Sequence, residues 1–491
     1  MSMRAPELAL NRSPVRQARR MGPHGKSRPN LVLAVCSLGL FLVGMDVTIV
    51  NVALPAIQQN LGAEFSGLQW VIDAYLLVVA SLLLLTGSLA DRFGRRRTFQ
   101  LGLVIFTLGS FLCSVAPDVR ALIACRALQG LGASMLNPVA LAIIVNAFPN
   151  RRARAHAIGI WGAVFGIALA AGPLIGGVLT QTVGWRFIFL INVPVGLMAV
   201  ALTALFVPES KSPHPHAIDP VGQLLVMLML SCLTYAVIEG QHFGWRSIST
   251  IGLLGTAGAS LTGILFYEPR LREPLIDLRF FRSAPFSGAT LIAAVAFGSF
   301  GVLLFLGALY LQQERGFSAF KAGLCTLPLA VAAMIFGVIS GRWVGSHGTR
   351  PSLLAGGMAM LLSMLLLTGL NDCTSIRVVL LMYTLFGGGL GMVNPAISTV
   401  AVSGMPSSRA GVAAAVAATS RQVGASLGVA IAGAVVTARR SHGMSFAIAT
   451  HPIWWGLAAC GGLIVVLGWA TNTERAQESA RHAMRFHAST D

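Results

Sequence analysis

Charge is scarce in this chain. Acidic and basic residues make up 11% of 491 residues, where a soluble chain of this size carries roughly 25%. That shortage argues against an ordinary soluble domain. Lysine is rarer still, confined to Lys26, Lys211 and Lys321. The seven cysteines (Cys36, Cys113, Cys125, Cys232, Cys325, Cys373, Cys460) form no CxxC pair, so neither a metal site nor a disulfide framework is indicated. A phosphate-cradling loop is also missing. Gly25-Lys26-Ser27 is the nearest approach, and Arg20 stands where its first glycine would have to be. ATP drive is therefore not expected. No HExxH pattern occurs, and most of the ten histidines lie in tails and loops, so a membrane-embedded enzyme is disfavoured and no cofactor is expected. The net charge of +18 does not indicate nucleic acid, because the basic residues are scattered among short connections instead of covering one face.

What the chain does have is apolar length. It is 55% hydrophobic with a mean hydropathy of +0.75, and runs of 18 or more apolar residues recur, each a candidate membrane span. We place helices over about 31–57, 68–89, 98–116, 119–147, 155–180, 186–207, 220–239, 249–267, 285–312, 321–345, 352–370, 376–401, 410–437 and 452–470. The basic N-terminus ahead of an apolar run mimics a secretory leader. That run continues from Leu31 into Asp46 and Pro55 without a cleavage site, so it reads as a retained first helix. With fourteen helices and the N-terminus inside, 25 basic residues fall on the inner face and 8 on the outer. Cytoplasmic loops collect Lys and Arg, so this asymmetry supports the even count and puts both termini in the cytoplasm. The expected product is an all-α, multi-pass protein of a bacterial inner membrane, with the lipid bilayer as its partner and a monomeric state.

The sequence repeats itself. Gly130, Gly132, Asn137, Pro138, Pro149 and Arg152 recur 257 residues later as Gly387, Gly389, Asn394, Pro395, Pro406 and Arg409. Two parallel six-helix halves would produce such an echo. The expected organisation is a basic tail over 1–30, a six-helix bundle over 31–207, a linker and two-helix insertion over 208–284, a second bundle over 285–470 and a tail over 471–491. Pro208, Pro213 and Pro215 mark the linker.

A charge inside a span needs a reason, since it costs about 2.5–3.5 kcal/mol at the helix centre on insertion scales. Asp46 lies about 22 Å along the first helix from Leu31. It is either a carboxylate that alternately takes a proton and a substrate in an aqueous cavity, or a structural acid paired to a neighbouring helix. Asp73, nearer the outer end of helix 2, is a second protonation site or an interfacial acid that meets water. Arg126 in helix 4 is the natural counter-charge, or a structural ion pair that fixes packing; Arg421 in helix 13 is a similar element of the second half. Residues 87–97, GSLADRFGRRR, lie between two spans. Four arginines and an aspartate cannot sit in lipid, so this loop is pinned at a membrane face, where its glycines let two helix ends approach. In helix 5, Gly162, Gly166, Gly172, Pro173, Gly176 and Gly177 set small residues at spacings that permit close crossings, with a kink at the proline.

These residues resemble the major facilitator superfamily, and within it the fourteen-helix drug:proton antiporters. Residues 45–55 (MDVTIVNVALP), the segment from Gln69 to Leu76, the loop of Gly87, Asp91, Arg92, Gly94, Arg95 and Arg96, the Arg126/Gln129-Gly130 pattern, the helix 5 glycines and residues 185–196 (WRFIFLINVPVG) all look like motifs of that branch. Gly341 departs from it, standing where the second-half loop would carry an acid. The resemblance implies the major facilitator fold, proton-coupled efflux by alternating access with Asp46 as the protonated group, a proton-transfer motif at Arg126, a conformational switch in the 87–97 loop and an antiporter motif in helix 5. The expected partners are protons and a small lipophilic substrate, cationic compounds included. A competing expectation is a narrow exporter of an endogenous metabolite or self-made antibiotic.

Overall fold

The computed structural model describes residues 28–212, 218–271, 274–371, 373–403, 405 and 410–480. Expectations that fall on the basic tail before Arg28, on Pro213, Pro215, Pro406 and Arg409, or beyond residue 480 lie outside the described residues. Fourteen helices are long and apolar enough to cross a membrane. In chain order they are α1 (Pro29–Leu61), α2 (Phe65–Phe93), α3 (Arg95–Ser114), α4 (Val119–Ala147), α5 (Arg151–Thr182), α6 (Phe187–Phe206, interrupted at Ile191), α7 (Pro220–Phe243), α8 (Ile248–Tyr267), α9 (Ala284–Leu309), α10 (Ala319–His347), α11 (Thr349–Leu367), α12 (Ile376–Val402), α13 (Ala410–Arg440) and α14 (Phe446–Ala470). The count matches the expected fourteen, and the helices run a few residues longer than hydrophobicity alone outlines. The extra turns are polar: α2 continues through Asp91 and Arg92, and α5 begins in its arginines.

Helices are the form this sequence must take, because in hydrocarbon every backbone N–H and C=O has to be satisfied within the segment. Several starts are set by polar caps. Asp118 Oδ1 accepts Ala121 N at 2.8 Å, Asn150 Oδ1 accepts Arg152 N at 2.9 Å and Asp219 Oδ1 accepts Gly222 N at 2.9 Å.

Helices α1–α6 and α9–α14 form two bundles. The 257-residue echo has a physical basis in the places where helices cross. A Cβ on Gly132 of α4 would stand 2.6 Å from Gly102 O of α3, and one on Gly389 of α12 would stand 2.7 Å from Gly356 O of α11. Both crossings bring backbone against backbone, so both halves need glycine there. Helices α7 and α8 pair with each other, and α7 lies on the seam where α2 of one half meets α13 of the other. Two hydrogen bonds fasten α7 to α2: Trp70 Nε1 to Glu239 Oε1 at 2.7 Å, and Gln223 Nε2 to Ser81 O at 2.5 Å.

An even number of crossings puts both described ends on one face, which also carries the arginine loop after α2; we call it the basic face. The two halves are pinned together at the other one. There Gln69 Nε2 donates to Ala430 O at 3.1 Å, Gln312 Nε2 to Val52 O at 2.8 Å and Gln313 Nε2 to Gln58 Oε1 at 2.7 Å. Helix α5 meets α10 along the same half of the molecule: a Cβ on Gly177 would lie 2.7 Å from Phe320 Cα, Gly323 packs on the Pro173 carbonyl, and Gly166 faces Met334 at 3.4 Å. Toward the basic face the contact ends, and a Cβ at Gly162 or Gly159 would meet nothing within 4 Å.

Candidate functional site

The polar centre of the first half is built from five helices. Asp46 of α1 and Arg126 of α4 are 0% and 2% exposed and form an ion pair, with Arg126 Nη1 donating to Asp46 Oδ2 at 2.7 Å. The same Nη1 donates to Gln129 Oε1 at 2.7 Å, and Arg126 Nε donates to Val71 O of α2 at 3.0 Å. Gln129 Nε2 completes a ring by donating to Asp46 Oδ1 at 2.8 Å. Both carboxylate oxygens are therefore engaged by charge-assisted or amide donors, the arrangement that a buried carboxylate requires. The guanidinium lies over the Tyr75 ring, 4.3 Å from its centroid, which offsets part of its desolvation.

A second layer holds Gln129 in place. Gln129 Nε2 also reaches Ser110 Oγ of α3 at 3.3 Å, Asn192 Nδ2 of α6 donates to Ser110 Oγ at 3.0 Å, and that hydroxyl donates to Phe189 O at 2.9 Å. Sequence reasoning missed Ser110 and Asn192. The available signal was a polar residue inside an apolar run, which for Asn192 means the asparagine in INVPVG.

Each predicted residue now has a place. Asp46 and Arg126 are brought together as the counter-charge expectation requires; in this state the carboxyl is sealed within the bundle and does not face an aqueous cavity. The expectation that Asp73 is an interfacial acid meeting water is corrected. It is fully buried, both its oxygens lack a hydrogen-bond partner, and the Ser426 hydroxyl of α13 faces it without closing a bond of ordinary geometry. Helix α2 extends past its apolar stretch to Phe65, and α13 covers that flank. Arg421 does not repeat the Asp46–Arg126 arrangement. Its Nη2 donates to Ser398 Oγ at 2.7 Å, it lies 5.7 Å from the Phe297 ring centroid, and among the described residues it has no carboxylate partner.

The arginine loop closes on its own half. Arg95 Nη2 binds Asp91 Oδ1 at 2.8 Å, Arg95 N donates to Ser210 O at 2.9 Å and Ser212 N donates to Asp91 O at 3.1 Å. Glu209, unpredicted, accepts Arg96 N at 3.1 Å and lies 3.7 Å from Arg97 Nε. Arg92 is exposed. Of the two glycines, only Gly94 serves close approach: its φ of 119° suits glycine, and a Cβ there would press on Glu209. Gly87 faces open space, which corrects the expectation that both draw helix ends together. In α5, Gly172 and Gly176 seat α1, with a Cβ on Gly172 falling 2.9 Å from Met45 O. Gly166, Gly177 and the Pro173 carbonyl face α10. Gly162 makes no close contact because it lies where α5 and α10 part.

Sequence reasoning, which expected no GxSxG-type arrangement, overlooked one pattern that mimics a hydrolase nucleophile. Gly424-Ala425-Ser426-Leu427-Gly428 spells GxSxG, but it lies inside α13, where Gly424 and Gly428 pack on the α9 backbone. A nucleophile elbow needs a strand-to-helix turn, and here there is none.

Comparison with known proteins agrees with this architecture. The chain is 38% identical to the multidrug resistance protein Stp of Mycobacterium tuberculosis over 83% of this chain and 76% of that one. It is 35% identical to the tetracenomycin C resistance and export protein of Streptomyces glaucescens over 84% and 77%. The crystal structure of a D-xylose-proton symporter superposes with a TM-score of 0.65 at 16% identity, covering 90% of this chain and 97% of that one, which establishes a shared fold. Residues 36–429 match the Major Facilitator Superfamily, and the chain belongs to that family.

Proposed function

We propose that this chain is a proton-coupled exporter of small lipophilic drugs or antibiotics, working by alternating access in the cell membrane with its basic face toward the cytoplasm. The observation that carries the reading is the sealed ring of Asp46, Arg126 and Gln129. Arginine keeps its charge in a protein interior, so the member of the ring able to take up a proton is Asp46. A proton on Asp46 removes the negative partner of a buried guanidinium, an imbalance of several kcal/mol. Arg126 is tied by Val71 O to α2, so that imbalance is felt at a helix on the seam between halves. Relatives named for multidrug resistance and for tetracenomycin C resistance and export support the cargo class.

In this reading the 87–97 loop, held here to its own half by Asp91 and Glu209, exchanges partners as the basic face closes, and the α5 glycines are the bearing on which α1 and α10 move. Cationic drugs belong to the cargo, because exchanging a proton for a cation at one carboxylate leaves the charge of the site unchanged. The cycle breaks no covalent bond of the cargo, needs no bound cofactor and is complete within one chain. The deciding experiment is counterflow in reconstituted vesicles. An imposed pH gradient should drive uptake or release of a lipophilic drug by the unaltered protein and not by Asp46→Asn; gradient-driven transport by that variant would reject the role assigned to Asp46.

A further inference from the structure

Outside the Asp46 ring, a pair of acids is buried at the basic face, in the two-helix insertion. Asp219 caps α7 and is 6% exposed; Glu268 follows α8 and is 0% exposed. Each uses one oxygen in an ordinary way: Asp219 Oδ1 accepts Gly222 N, and Glu268 Oε2 accepts Ile276 N at 3.4 Å. The other oxygen of each, Asp219 Oδ2 and Glu268 Oε1, has no hydrogen-bond partner. These two atoms converge on one point. A Cβ on Gly222 would stand 2.5 Å from Glu268 Oε1 and closer still to Asp219 Oδ2. Glycine at 222 leaves room for both oxygens at that point.

Among the described residues no basic side chain lies within ion-pair distance of either acid. The other titratable groups nearby are Tyr267, whose phenol faces Asp219, and Asp277, which accepts Arg279 N. From α2, Ser81 faces this corner through its bond with Gln223, and an apolar cluster of Ala80, Val226, Leu230 and Ile264 separates it from the rest of the bundle. Two buried carboxyl oxygens that converge on one point, neither with a hydrogen-bond partner among the described residues, are satisfied together by a single proton held between them.

We propose that Asp219 and Glu268 form a proton-sharing carboxyl pair, a second proton site of this protein that responds to pH on the basic face. The inference rests on reading the chain as a proton-coupled exporter only for its physiological use; the site itself stands on the geometry. With one proton the pair draws the end of α8 onto the start of α7, and the Gln223–Ser81 bond passes that grip to α2, the helix that carries Asp73 and leads into the switch loop. Loss of the proton to the basic-face solution leaves two negative oxygens converging on one point, where they repel, and loosens α7 from α2. An exporter that brings protons inward thereby acquires a sensor of the interior it acidifies.

The test uses full-length protein in lipid vesicles. Infrared difference spectra across a pH change should contain the C=O band of a protonated carboxyl that shifts in D2O. The band should be lost in Asp219→Asn and in Glu268→Gln and kept in Asp46→Asn; asparagine preserves the helix cap. Amide hydrogen exchange in 219–226, corrected for its intrinsic pH dependence, should rise on alkalinisation in the unaltered protein and not in Glu268→Gln, where a neutral amide mimics the protonated acid. A band that survives in both variants, or exchange that responds to pH equally in Glu268→Gln, overturns the proposal. So does a band bleached by added Na⁺ or Ca²⁺ at constant pH, which would make the pair a metal site. Failure of pH-driven drug counterflow with the band intact would sink the exporter reading and leave the proton site standing.

Discussion

Replacing Asp46 by asparagine changes one atom and one charge, and the surrounding ring sets its effect. The 2.7 Å bond from Arg126 loses its ionic partner, and the 2.8 Å bond from Gln129 Nε2 weakens because an amide oxygen replaces a carboxylate. Removing one member of a buried ion pair costs about 3–5 kcal/mol. The Val71 carbonyl, the Gln129 carbonyl and the Tyr75 ring still hold the guanidinium, so the lower end, about 3 kcal/mol, is expected. Adding Arg126→Gln removes the orphaned charge, so the double variant should recover about 1–2 kcal/mol relative to Asp46→Asn. Thermal unfolding of purified protein measures the stabilities, and vesicle counterflow measures coupling. The expected pattern is partial recovery of stability in the double variant with no recovery of pH-driven transport. If Arg126→Gln makes Asp46→Asn less stable, or restores coupling, the buried-pair argument is wrong.

Other substitutions have equally direct consequences. Gln69→Leu deletes the donor to the Val429 and Ala430 carbonyls, which contributes about 0.5–1.5 kcal/mol to closure of the face away from the arginine loop; cysteine labelling from that side should speed up several-fold, and an unchanged rate would show that the bond does not hold the face shut. Gly323→Val drives a branched side chain into the Pro173 carbonyl between α10 and α5; it should abolish transport while leaving membrane insertion intact, and normal transport would contradict a close crossing there. Asp91→Ala frees Arg95 and deletes a partly exposed ion pair worth under about 1 kcal/mol, so stability should hardly change while the distribution between states, read by spin-label distances across the basic face, shifts. Glu209→Gln should act in the same direction, because Arg96 N and Arg97 bind the same carboxylate; opposite shifts would separate the two residues.

Apolar run length determined the fourteen spans, because a bilayer demands about 20 apolar residues per crossing whatever the packing. The recurrence of Gly130 and Gly132 as Gly387 and Gly389 announced two related halves, since a backbone crossing tolerates no Cβ in either. Asp46 and Arg126 were legible as isolated charges in apolar stretches, where charge is too costly to be incidental. Beyond that one pair, partnership was not legible. That Gln129 closes the ring, that Ser110 and Asn192 support it, that Glu209 catches the arginine loop, that Asp73 is sealed under α13 and that Asp219 meets Glu268 over Gly222 all depend on which faces of distant helices are turned together. Local sequence carries the free-energy cost of placing a polar group in the membrane; only the packed bundle decides which group offsets it, because the partners lie up to 361 residues apart, as Gln69 and Ala430 do.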